Sequence, residues 1–86
     1  MKYFQDKDFI KSVGEQLRKL RIAKGYTQEQ LSLEAGFIPS QVGRTERGEI
    51  NTSISHISAY AKVLGVHPRE VFDVYFHSNK VTRKQK

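Results

Sequence analysis

Apolar residues recur at helical intervals near the start of the chain. Ile10, Val13, Leu17 and Leu20 are separated by three, four and three residues, which places them on one stripe of an α-helix. This pattern predicts a first helix over residues 8–24. The glycine that follows suits the left-handed conformation in which many helices end.

Two shorter helices are predicted next. Thr27 and Gln30 have the Thr-x-x-Gln spacing of a capping box, in which the two residues satisfy each other's free amides at a helix start. A second helix is therefore expected over residues 28–35. Pro39 is tolerated only in the first turn of a helix, so a third helix is expected over residues 39–47.

The same apolar spacing returns in the second half of the chain. Ile54, Ile57, Ala61 and Leu64 again lie three, four and three residues apart, and Ser53 is a suitable N-cap in front of them. They predict a fourth helix that ends at the next glycine.

A fifth helix is expected to begin at Pro68 and to end near His77, with Val71, Phe72 and Tyr75 on its inner side. No segment alternates between apolar and polar residues with a period of two, as a half-buried strand would. The sequence therefore predicts an all-α fold, a compact bundle of five helices.

The chain has 86 residues, enough for one hydrophobic core. It has no cysteine, which fits a cytoplasmic protein. Its longest apolar runs fall far short of the roughly 20 residues that cross a membrane, and its N-terminus lacks the apolar centre of a signal peptide. A folded domain is expected over residues 13–76, with an N-terminal extension and the start of the first helix in 1–12 and a basic, flexible tail in 77–86.

Positive charge exceeds negative charge, with 15 Lys and Arg against 9 Asp and Glu and a net charge of +6. The excess lies at the two ends, because residues 25–49 carry two positive and four negative side chains. A basic balance favours a polyanionic partner, either nucleic acid or an anionic membrane face. An ordinary solvated surface gives a similar excess.

The second and third helices, joined by a short turn with a glycine, form the outline of a helix-turn-helix. On a helical wheel, Ser40, Gly43, Arg44 and Arg47 share one polar and unobstructed face of the third helix. Arg44 can offer two hydrogen bonds to a guanine edge in a DNA major groove, and Gly43 allows close approach. The alternative is a solvated face without function.

Arg21 lies on the apolar stripe of the first helix, and a buried charge needs a partner. Glu46 shares the inward side of the third helix with Val42. We predict an ion pair between Arg21 and Glu46 that holds the first helix to the third. In the alternative, Arg21 extends its methylene stem to solvent.

Several linked motifs resemble the Cro and phage-repressor type of helix-turn-helix regulator, the XRE family. They are Thr-Gln-Glu-Gln-Leu at 27–31, Ala-Gly at 35–36, Ser-Gln-Val-Gly-Arg-Thr-Glu-Arg-Gly at 40–48, Asn-Thr-Ser at 51–53 and Ala-Lys-Val-Leu-Gly-Val-His-Pro at 61–68. The resemblance covers residues 13–72. It implies a five-helix, lambda-repressor-like domain whose third helix enters the major groove of double-stranded DNA. It also implies a two-fold dimer that reads two half-sites about one helical turn apart.

The resemblance further implies roles for individual residues. Contacts to bases would come from Gln28, Pro39, Ser40, Gln41 and Arg44. Contacts to phosphates would come from Thr27, Arg47, Asn51, Thr52 and Ser53, the last three beside the amides that open the fourth helix. Arg21 and Glu46 match the family's buried ion pair.

Three features depart from the family pattern. Ile38 replaces the usual Ser or Thr before the third helix and cannot accept hydrogen bonds from its first amides. Thr45 replaces a large apolar residue, which predicts looser packing of this helix. Because residues 25–49 are net negative, phosphate affinity is expected to draw on the basic ends, through Lys2, Lys7, Lys11 or the tail from Lys80 to Lys86.

The C-terminal part of the chain carries more apolar surface than a short helix can turn inward. A second subunit is expected to cover part of it, with an interface formed by Tyr60, Val71, Phe72, Tyr75 and Phe76. In the alternative, the residue that folds back over the fifth helix within the same chain is Tyr3, Phe4 or Phe9.

Neither catalysis nor a metal or other cofactor is expected. The histidines, His56, His67 and His77, have spacings unsuited to a metal pair on one helix, and there is no glycine-rich phosphate loop. The sequence predicts a cytoplasmic, homodimeric transcriptional regulator: a repressor that occludes a promoter, a restriction-modification controller, a phage regulator or an antitoxin. The competing prediction is a protein-interaction module in which the same fold binds a partner such as RNA polymerase or a cognate toxin.

Overall fold

The computed structural model describes residues 4–74. Within them the chain forms four α-helices, one short 3-10 helix and no β-strand. The elements are α1 Lys7–Ala23, α2 Gln28–Ala35, α3 Gln41–Glu46, α4 Ile54–Leu64 and the 3-10 helix Pro68–Phe72. None of these helices is long and apolar enough to cross a membrane. Among the same residues, no group of His, Cys, Asp or Glu side chains could hold a metal ion.

Local capping residues set the ends of three helices. Asp6 Oδ1 accepts a hydrogen bond from the Phe9 amide at 3.0 Å, so α1 begins one residue earlier than predicted. Thr27 and Gln30 form the predicted capping box of α2, with distances of 2.9 and 3.0 Å. Ser53 caps α4 by accepting a hydrogen bond from a first-turn amide at 3.1 Å. Both α2 and α4 end at glycines in the left-handed conformation.

The third helix is shorter than predicted. It starts at Gln41 instead of Pro39, because residues 39 and 40 form a turn in which the Ile38 carbonyl accepts from the Gln41 amide at 2.9 Å. Ser40 occupies the N-cap position with helical backbone angles, and its side chain makes no capping hydrogen bond. A turn without a capping side chain thus replaces the first predicted turn of the helix.

The prediction of a fifth α-helix is wrong, because the structure has a 3-10 helix, Pro68–Phe72, in its place. His67 and Glu70 form a capping box at its start. The Asp73 amide donates to the Glu70 carbonyl, three residues back, at 3.4 Å, so the backbone has the tighter hydrogen-bond spacing of a 3-10 helix. The rest of the predicted helix, from Tyr75 onward, lies outside the described residues.

All five elements contribute to one core. Its buried apolar side chains are Val13, Leu17, Leu31, Val42, Ile57, Tyr60, Leu64 and Val71. Helix α1 meets α3 at Gly14, where a Cβ atom would lie only 2.3 Å from the Thr45 carbonyl oxygen. Thr45, expected to loosen this contact, is itself 2% exposed. Because only glycine permits so close an approach, the short α3 is seated directly on the backbone of α1.

Candidate nucleic-acid interface

Helices α2 and α3 form a helix-turn-helix pair. The connection of residues 36–40 begins at Gly36, whose φ is 74°. Leu31 of α2 and Val42 of α3 are both fully buried, which fixes one side of each helix on the core. The opposite side of α3 remains at the surface, where the sequence predicts the DNA-reading face.

Arg21 and Glu46 form a buried ion pair between α1 and α3. Arg21 Nε and Nη2 donate to Glu46 Oε2 and Oε1 at 2.6 and 3.1 Å, and the residues are 8% and 4% exposed. Arg21 Nη1 also donates to the Tyr26 carbonyl at 2.8 Å. The structure therefore contains the ion pair expected from the sequence, and Arg21 does not extend to solvent. Because one guanidinium binds both α3 and the α1–α2 loop, it sets the position of both segments.

Gln28 joins this ion pair, a contact that was not predicted. Its Nε2 donates to Glu46 Oε1 at 3.0 Å. Its amide also covers Gly43, since a Cβ atom there would lie 3.3 Å from Gln28 Oε1 and 3.1 Å from Arg47 Nη1. The predicted place of Gly43 on an unobstructed face is therefore wrong, because side chains of α2 and of residue 47 bury it. The glycine makes room for the contact between the two helices.

The predicted base-contacting residues lie in α2, in α3 and in the turn between them. Four of them are exposed, namely Gln28, Pro39, Ser40 and Arg44. The fifth, Gln41, is half-buried, and its Nε2 lies 2.8 Å from His56 Nε2. This contact joins the start of α3 to α4, so only part of the Gln41 side chain is available to a ligand.

Glu49 was not among the predicted site residues, yet its carboxylate contacts both Arg44 and Arg47. Arg47 Nε and Nη2 donate to Glu49 Oε2 and Oε1 at 2.6 and 3.4 Å, and Arg44 Nε lies 3.6 Å from Oε1. The Glu49 amide donates to the Arg44 carbonyl at 2.9 Å, so the turn after α3 brings the carboxylate back toward the helix. The hydrogen bonds between Arg47 and Glu49 lower the pKa of the Glu49 carboxyl and raise the pKa of the Arg47 guanidinium. The signal in the sequence is an acidic residue closely following two arginines.

The predicted phosphate-contacting residues include two helix caps. Ser53 Oγ accepts the capping hydrogen bond of α4, and Thr27 Oγ1 accepts that of α2. Asn51 is exposed and Thr52 is half-buried. The hydroxyls of Thr27 and Ser53 thus stabilise helix ends, and contact between these residues and phosphate stays a prediction.

Two residues predicted at a dimer interface belong to the core instead. Tyr60 and Val71 are 1% and 0% exposed within the single chain. Their assignment to a dimer interface is wrong, because side chains packed against other helices leave no surface for a second subunit. The prediction that Val71 lies on the inner side of the last helix is confirmed. Burial raises the pKa of Tyr60 to about 12, as expected for a phenol whose charged form is poorly solvated.

Phe72 is the predicted interface residue that stays at the surface, with 47% of it exposed. Its ring stacks on that of Phe9, with centroids 6.4 Å apart. Phe9 therefore covers one side of Phe72, as the single-chain alternative expects, whereas Phe4 is 88% exposed. The remaining predicted interface residues, Tyr75 and Phe76, lie outside the described part of the chain.

The sequence and the fold match helix-turn-helix regulators. A family model described as helix-turn-helix, HTH_3, matches residues 17–71. The chain belongs to this family, in its Cro/C1 or XRE type. It is a DNA-binding transcriptional regulator.

Individual relatives agree with this assignment. Control protein C.BamHI of Bacillus amyloliquefaciens is 33% identical over 61 residues, 70% of this chain and 75% of the relative. The crystal structure of the restriction-modification controller protein C.AhdI from Aeromonas hydrophila has a TM-score of 0.71 and 43% identity, covering 78% of this chain and 100% of that one. The clp gene regulator ClgR from Corynebacterium glutamicum has a TM-score of 0.70 and 25% identity, covering 73% of this chain and 67% of that one.

Proposed function

We propose that the chain is a homodimeric, sequence-specific regulator that reads an inverted repeat with α3 in the major groove. The observation that carries the proposal is the contrast between the two sides of α3. Glu46 is held in the core by Arg21, while Arg44 of the same short helix is exposed. An exposed guanidinium on a firmly seated helix suits bidentate recognition of a guanine edge.

The remaining roles follow the family resemblance. We assign base contacts to Gln28, Pro39, Ser40, Gln41 and Arg44, and phosphate contacts to Thr27, Arg47, Asn51, Thr52 and Ser53. The first amides of α2 and α4 carry the positive partial charge of a helix N-terminus, which supports phosphate contacts at residues 27 and 51–53. Such contacts fix the position of α3 on the duplex without reading its sequence.

The names of two relatives support a proposal about the regulated genes. C.BamHI is a control protein, and C.AhdI is a restriction-modification controller whose whole length is matched by 78% of this chain. We therefore propose that this chain controls restriction-modification genes by occupying a promoter in the cytoplasm.

A second copy is proposed to pack on the apolar groove between α1, α4 and the 3-10 helix. The groove is lined by Phe9, Ile10, Val13, Asn51, Thr52, Ile54, Ile57 and Phe72. Ile54, one of these lining residues, is 86% exposed, and covering such surface favours association. Because residues 51 and 52 line the same groove, a dimer there would bring the proposed phosphate-contacting segments of both subunits close together.

The variant Ile54→Asp tests the dimer face. It is expected to sediment as a monomer at concentrations where the wild-type protein is a dimer, because a carboxylate in the interface is costly to desolvate. Leu33→Asp is the matched control, since Leu33 is 83% exposed on α2 and is expected to leave the dimer intact. Ile54→Asp sedimenting like the wild-type protein would place the interface elsewhere.

Selection from a pool of randomised duplexes, at moderate salt and with competitor DNA, tests the DNA-reading function. Enrichment of an inverted repeat with half-site centres about 10 base pairs apart is the expected result. Weak, salt-sensitive retention of every sequence alike would contradict the proposal and favour a protein as the partner.

A further inference from the structure

Arg44 of α3 and Arg47, the residue that follows the helix, share the exposed carboxylate of Glu49. Arg44 and Arg47 are the positive side chains of residues 25–49. Of the four acidic side chains in the same segment, Glu46 is paired with Arg21 in the core, whereas Glu49 is at the surface. The charge with which α3 can attract DNA is therefore reduced by Glu49 in the free protein.

Glu49 contacts the two arginines through different atoms and at different distances. It accepts two hydrogen bonds from Arg47, from Nε and Nη2, which is the same edge that binds phosphate oxygens in bidentate fashion. Arg44 faces Glu49 with Nε, which lies 3.6 Å from Glu49 Oε1. The terminal edge of Arg44 can thus pair with guanine while Nε still faces Glu49.

We propose that Glu49 is a specificity-determining residue that weakens binding to arbitrary DNA and orients Arg44 for its base. The inference rests on the proposed DNA-reading function. Binding to arbitrary DNA depends almost entirely on phosphate charge, and Glu49 competes with phosphates for Arg47 and repels them. At a matching site, the contact from Arg44 Nε to Glu49 persists and holds the guanidinium toward the base edge. Glu49 therefore raises the ratio of specific to non-specific affinity.

The variant Glu49→Gln tests this inference, because it keeps the side-chain shape and removes the charge. Affinities are measured for the selected inverted repeat and for a scrambled duplex of equal composition, over a series of salt concentrations. The scrambled duplex is expected to bind roughly two- to fivefold more tightly to the variant, with a salt slope steeper by about one. Affinity for the inverted repeat is expected to stay level or fall, so the ratio of the two affinities decreases.

Glu15→Gln is the charge-matched control. Glu15 is exposed on α1, where it lines a depression together with Asp73 and Val74. The Glu15→Gln variant is expected to leave the affinity ratio unchanged. A ratio in Glu49→Gln equal to that in Glu15→Gln would overturn the inference while leaving the DNA-reading function in place. A wild-type protein that binds both duplexes equally would overturn the proposed function, and the inference with it.

Discussion

The protein contains two contacts between arginine and glutamate around α3 that have the same chemistry and opposite surroundings. Arg21 Nε lies 2.6 Å from Glu46 Oε2, and these side chains are 10% and 2% exposed. Arg47 Nε also lies 2.6 Å from Glu49 Oε2, but there the side chains are 60% and 46% exposed. Distance alone does not distinguish the two contacts, whereas burial does.

Burial decides what each contact is able to do. The buried contact between Arg21 and Glu46 is the inner pair. Removing one of its partners leaves an uncompensated charge in the core, which is strongly destabilising. The outer contact, between Arg47 and Glu49, is open to water and salt, so Arg47 can exchange Glu49 for another anion at small cost. The inner pair is therefore suited to fix the position of α3, and the outer contact is suited to be replaced when DNA binds.

The largest expected effect is that of Glu46→Gln. Because Arg21 would remain buried without a carboxylate partner, the free energy of unfolding is expected to fall by about 3–5 kcal/mol. Urea titration followed by circular dichroism measures this loss. In Glu49→Gln, the unfolding midpoint is expected to stay near that of the wild-type protein, and similar losses in both variants would contradict the comparison of the two contacts.

A smaller effect on binding is expected for Arg44→Ala. Loss of the proposed bidentate contact to guanine is expected to cost about 1–3 kcal/mol at one base position, with the fold unchanged. Titration of the selected duplex and of single-base variants measures it. Arg47→Ala is the comparison variant, since loss of a phosphate contact weakens binding to all sequences alike. Equal weakening on every duplex in Arg44→Ala would contradict base reading by this residue.

The smallest effect appears only at high pH and reports on the neighbourhood of the inner pair. Burial raises the pKa of Tyr60 from 10.0 to about 12. The Thr45 side chain acts against this rise in pKa, and the charge of Glu46 adds to the rise. The folded state favours the neutral phenol, so this contribution to stability is complete below pH 10 and is lost between pH 10 and about 12. At pH 11 the wild-type protein is expected to have lost about 1 kcal/mol more than Tyr60→Phe, relative to neutral pH. Parallel stability curves for the two proteins between pH 9 and pH 11 would contradict the buried titration.

The helices whose ends are set by residues close in sequence were predicted well. Helix α2 has the predicted bounds, and α1 differs from its prediction by one residue at each end. Their ends are set by caps and glycines a few residues away, such as Asp6 and Thr27. The bounds of α3 were predicted less well, because with Ile38 in place of a capping side chain the first turn depends on how the chain packs.

The inner and outer contacts also differ in how far the sequence predicts them. Arg21 and Glu46 each fall on the inward side of an amphipathic helix, and two opposite charges in one small core have to pair. Glu49 lies after the end of α3, where periodicity gives no direction to a side chain. The covering of Gly43 by Gln28 likewise depends on how closely α2 approaches α3.

By itself, the sequence determined the helical class, the ends of the well-capped helices and the charged pair in the core. These features follow from helical periodicity and from hydrogen bonds between residues close in the chain. Only the tertiary structure decided that Tyr60 is a core residue, that Gly43 is covered and that Glu49 contacts both Arg44 and Arg47. These features depend on the distances between elements that are remote in sequence, which are set when all the side chains of the core pack together.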